Sequence, residues 1–76
     1  MRLNEFNDVK NSTINNLIDE YIHNDEHRRI LKSRLIDGLT YPELAYMYNH
    51  SERNIKKIVY REGDRLLQIM QRLNLI

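Results

Sequence analysis

Apolar residues recur along this chain with the spacing of helices. Ile14, Leu17, Ile18, Tyr21 and Ile22 follow the i, i+3, i+4, i+7, i+8 pattern and predict an amphipathic helix over 13–24, with Ser12 or Asn11 as its cap. Asn24-Asp25 interrupts the pattern, and Asp25 and Glu26 suit the first turn of a second helix over 25–37. Ile30, Leu31, Leu35 and Ile36 form its inner face, Gly38 ends it, and Leu39 covers the core. Thr40-Tyr41-Pro42-Glu43 has the form of a capping box, with Pro42 in the first turn, where its missing N–H costs little. Leu44, Ala45 and Tyr48 make one face of the helix that follows. Asn49-His50 breaks that helix, since Asn tolerates the left-handed conformation of a tight turn. Ser51 caps the last helix, whose inner face begins with Ile55, Ile58 and Val59.

The period continues past Arg61 through Leu66, Ile69, Met70 and Leu73. Gly63 is a weak point, costing about 1 kcal/mol against Ala, and leaves open a kink or a stop and restart at that position. Residues 1–11 carry scattered apolar side chains (Met1, Leu3, Phe6, Val9) and read as a flexible arm or a short helix. No strand-like alternation occurs. The expectation is an all-α fold of four to five helices in one domain over 1–76. Its core motif would lie at 39–61 and a helical extension at 62–76.

Seventy-six residues give a marginal core, so oligomerisation or partner contacts would help. The absence of Cys excludes disulfide scaffolds and Cys-based zinc sites. No apolar run reaches membrane-spanning length and no signal-peptide core opens the chain, so the expected location is cytoplasmic, with no membrane partner. Net charge is only +1, but it is unevenly placed: residues 1–24 sum to −2, residues 25–76 to +3, and residues 51–61 alone to +3. Positive charge concentrated on one element suits a groove-facing helix.

Gly38-Leu39-Thr40, Glu43-Leu44-Ala45, Ser51, Ile55-Lys56 and Arg61 together have the spacing of a helix-turn-helix. Over residues 28–67 the chain resembles the promoter-binding C-terminal region of bacterial sigma factors. It is similar also to the small sigma-factor-like regulators of phages and prophages of Gram-positive bacteria, and more loosely to LuxR-type domains. It departs from that pattern at Asn49 (in place of the turn Gly), at His50 (in place of an apolar residue) and at Glu62-Gly63 (in place of a small Ala). The resemblance implies double-stranded DNA binding in transcription control, by a regulator of phage or mobile-element origin with a long C-terminal recognition helix. The runner-up that it implies is a small protein-binding adaptor or inhibitor acting on RNA polymerase or another host complex through the same scaffold.

With Ile55 at the centre of the buried arc, about 100° per residue places Arg53, Lys57 and Tyr60 on the opposite side. Lys56 and Asn54 fall on the flanks. Arg53 is expected to read guanine and Asn54 adenine, while Lys56, Lys57 and Arg61 meet phosphates. The free N–H groups after Thr40 offer a further phosphate site, and Ser51 sets the start of the reading helix. Tyr60 and Tyr46 are expected to be exposed, and Tyr21, Tyr41 and Tyr48 to join the core. His23 and His27 share a metal-ligand spacing, but the break at Asn24-Asp25 separates them and no third ligand follows, so no metal is expected. His50 is expected to sit half-exposed. No nucleophile–base pair or phosphate loop is recognisable, so neither an enzyme nor a cofactor is expected. Finally, Leu67, Met70, Leu73 and Ile76 widen the apolar surface near the C-terminus and suggest a homodimer interface.

Overall fold

The computed structural model describes Phe6 and residues 8–76; the predicted arm at 1–11 lies mostly outside the described residues. Four helices follow in order: α1 (Asn11–Tyr21), α2 (Asp25–Leu35), α3 (Tyr41–Tyr48) and α4 (Glu52–Arg72). The fold is all-α, with no strand among the described residues.

The start of α1 differs from the expected one. Neither Ser12 nor Asn11 caps it. Lys10 takes the cap position, with φ −62° and ψ 143° and no side-chain bond, so both polar residues lie inside the first turn. The helix also stops at Tyr21 rather than 24. Asn24 is needed as the N-cap of α2, where its side chain accepts from the His27 N–H at 3.1 Å and its backbone is extended. Ile22 thus leaves the helix yet remains fully buried, and the Arg28 Nε–H donates to its carbonyl.

At the end of α2, Gly38 adopts φ +73°, which lets the Leu39 N–H return to the Ser33 carbonyl at 3.0 Å. The Arg34 guanidinium donates to the Leu39 carbonyl at 2.9 Å and fixes the same link. Both halves of the capping box are made in α3: the Thr40 N–H donates to the Glu43 carboxylate at 3.0 Å, and the Glu43 N–H to the Thr40 hydroxyl at 3.3 Å. Asn49 ends α3 in the left-handed region, at φ 56° and ψ 46°. Ser51 then caps α4, accepting from the Asn54 N–H at 3.0 Å.

The last helix passes through Gly63 as one continuous element, so it does not end and restart there. At roughly 1.5 Å per residue it extends over about 30 Å, close to the 35 Å long axis of the molecule. It packs against α1, α2 and α3, and α2 touches α1 and α3 as well. Being covered from several sides, α4 buries more than one stripe: Leu67 is 7% and Met70 1% exposed, both within the single core cluster that holds Ile18, Ile30, Leu44 and Ile55. These two residues therefore belong to the domain's own core and not to an outward dimer surface. Leu73 and Ile76 are exposed, as is Leu75.

Polar groups inside are matched across helices. The buried Ser33 hydroxyl pairs with the Tyr48 hydroxyl at 3.1 Å, joining α2 to the end of α3. Glu62 faces inward from α4, with the His27 imidazole and the Arg61 guanidinium each 3.8 Å from its carboxylate.

Candidate nucleic-acid interface

Two helices joined by the turn at residues 49–51 place one cationic face outward. Arg53, Lys57, Tyr60 and Arg61 are all exposed on α4, with Arg65 further along the same helix. Arg53 and Lys57 have no hydrogen-bond or ion-pair partner among the described residues. Arg61 is exposed too, although its Nε lies 3.8 Å from the Glu62 carboxylate. These side chains stand where the helical period puts them, because each is on the side of α4 away from the core.

Lys56 and Asn54, expected as contacts from the flanks, are engaged within the domain. The Lys56 ammonium lies 5.5 Å from the centre of the Tyr41 ring and 3.9 Å from the Glu52 carboxylate. The Arg34 guanidinium also approaches that ring, at 4.6 Å, and Tyr60 meets it edge-on with centroids 6.1 Å apart. One aromatic ring thus gathers cations from α2 and α4 beside the start of α3. Burial pushes the Tyr41 phenol above its ordinary range; the nearby Tyr60 hydroxyl adds to the rise and Arg34 opposes it. The Tyr41 hydroxyl and Arg34 Nε are buried without meeting hydrogen-bond geometry.

Asn54 is half-buried, and its amide nitrogen lies 2.8 Å from His50 Nδ1. The other imidazole nitrogen, Nε2, lies 2.7 Å from the Glu26 carboxylate. An ionised carboxylate only accepts and an amide NH₂ only donates. The neutral imidazole protonated at Nε2 satisfies both, donating to Glu26 and accepting from Asn54. His50 is therefore half-exposed as expected, but it is tied down, connecting the turn to α2 on one side and to α4 on the other.

The predicted phosphate site after Thr40 is smaller than expected. The Thr40 and Glu43 N–H groups are both taken by the capping box, Pro42 has none, and the Glu43 carboxylate stands beside them. Thr40 and Ser51 act as caps, both exposed. Tyr46 projects furthest into solvent of the tyrosines and Tyr60 is also exposed, while Tyr21, Tyr41 and Tyr48 pack partly buried against the core. His23 is exposed and His27 turns toward Glu62, so the two rings have separate surroundings. The sequence reading missed Arg34, Tyr41 and Glu26. Glu26 reads in the sequence as a first-turn charge and Arg34 as one of the charges around the inner face of α2, and only packing brings them here.

No protein-family model matches this chain, and no curated protein or solved structure matches it either.

Proposed function

We propose that this domain binds double-stranded DNA in a sequence-specific manner and acts in transcription control, with α4 as the recognition helix. The observation that carries this reading is the exposed row of Arg53, Lys57 and Arg61 on the outer side of α4, just after a capped tight turn. A helix of this kind fits the major groove, and its first turns meet base edges while later cations meet phosphates. A phage or mobile-element regulator working in the bacterial cytoplasm is the setting suggested by the likeness over residues 28–67. Fluorescence titration of the chain on random-sequence duplex DNA tests the reading. Each neutralised phosphate adds about −0.9 to the log–log salt slope, and Arg61→Ala should reduce its magnitude by about 1. Binding that ignores salt overturns the proposal.

A second reading is supported by α3. Tyr46 is 92% and Met47 59% exposed, adjacent on a short helix. An adaptor or inhibitor seated on RNA polymerase or another host complex would use such a surface. Its contact would be mainly apolar, so its affinity would change little with salt, in contrast to the duplex.

A homodimer has less to rest on than the sequence suggested. With Leu67 and Met70 inside, the half-exposed Leu73, Leu75 and Ile76 remain. They fall well short of the roughly 800 Å² per partner of a standard interface.

A further inference from the structure

Resting on the duplex-binding reading, we propose that the first two turns of α4 read guanine, through Arg53 and Lys57, and that Asn54 positions the helix instead of reading a base. The inference starts from the bond between Asn54 and His50. Reading adenine takes both ends of the amide, one donating to N7 and one accepting from the exocyclic amine. The Asn54 amide nitrogen is 2.8 Å from His50 Nδ1, and the side chain is half-buried. Turning the amide to a base edge would take it off His50. The imidazole would lose its donor at Nδ1 while still held by Glu26 at 2.7 Å.

The two cations that face outward on the first two turns of α4 offer donors only. Arg53 and Lys57 are exposed, and no partner among the described residues restrains them. Arginine and lysine have no acceptor. Guanine, with N7 and O6, presents two acceptors side by side in the major groove, and the other bases pair an acceptor with a donor or a methyl, or present a donor. Glu52, the acceptor nearest on this turn, has its carboxylate 3.9 Å from Lys56 on the flank. Residues four apart rise about 6 Å along a helix, close to two base-pair steps of about 3.4 Å. The preferred site therefore contains two guanines about two base pairs apart.

The test enriches duplexes from a randomised pool with the full chain. The enriched duplex is then resynthesised with 7-deazaguanine, which replaces N7 by C–H and keeps Watson–Crick pairing. Wild type should enrich the guanine pair and lose about tenfold in affinity on the 7-deaza duplex. Arg53→Gln, at an exposed position where folding is checked by a thermal melt, should enrich adenine at the base that Arg53 reads. Asn54→Ala should weaken binding on all duplexes and leave the guanine preference intact. Enriched sites without guanine, equal binding to the 7-deaza duplex, or an adenine preference lost in Asn54→Ala each overturn this inference while duplex binding stands. Failure to enrich any duplex overturns the duplex-binding reading, and this one with it.

Discussion

The Glu43 carboxylate accepts from the Thr40 N–H, and this bond together with the Thr40 hydroxyl holds its pKa below the ordinary 4.5. In the unfolded chain the carboxyl titrates near its ordinary value. Its contribution to stability is therefore present above that value and lost as pH falls through the lower, folded one. Glu43→Gln should melt below wild type at neutral pH, and the gap should narrow as pH falls below the ordinary carboxylate range. A gap that persists in acid would mean that the charge of Glu43 is not what matters. Thr40, Asn49 and Ser51 were legible in the sequence because each acts within three residues of itself. The chain Glu26–His50–Asn54 was not, because its first bond spans 24 positions. Asn54 shows the same limit: its flank position on the helical wheel was legible, but its bond to His50 in the turn was not.

At the scale of the element, α4 shows where periodicity stops being sufficient. Its inner face was legible at Ile55, Ile58, Val59 and Leu66, all buried. Leu67 and Met70 were assigned outward because a helical wheel assumes a single covered side, whereas α4 meets three other helices. The consequence is a stability effect in place of a dissociation effect. Leu67→Ala should cost about 2–5 kcal/mol in a urea titration. Leu67→Glu should fail to give a cooperatively folded domain, as should Met70→Glu, because each would bury an unpaired carboxylate. A Leu67→Glu chain with a wild-type melt would place that side chain in solvent. The start of α1 was misplaced for the opposite reason. Lys10 provides no side-chain bond, so no local chemistry marked it, while Ser12 offered a false signal.

For the whole molecule, the order and type of the helices were readable from periodicity and caps, but how they connect was not. Much of that connection passes through α2. Near its end, Arg34 holds the link to α3 and approaches the Tyr41 ring. Beside it, Ser33 reaches Tyr48. At its start, the neighbours Glu26 and His27 face His50 in the turn and Glu62 in the middle of α4. The last helix is thus secured from behind, which keeps its exposed face, with Arg53 and Lys57, in a fixed relation to the rest of the domain.

The paired attachments at the start of α2 also bear on how the protein opens. A helix normally frays from its first turn, and its leading amides exchange with solvent long before the domain unfolds. Here the start of α4 cannot loosen without drawing Asn54 off His50, which Glu26 holds to α2. The amides of Asn54 and Ile55, bonded to Ser51, should therefore belong to the same cooperative unit as that of Arg28, bonded to Asn24. In native-state hydrogen exchange they should show a common opening free energy and a common denaturant slope. Glu26→Ala should split them, leaving Arg28 protected while Asn54 and Ile55 exchange by local fraying. Separate slopes in the wild type would mean that α4 breathes independently of α2.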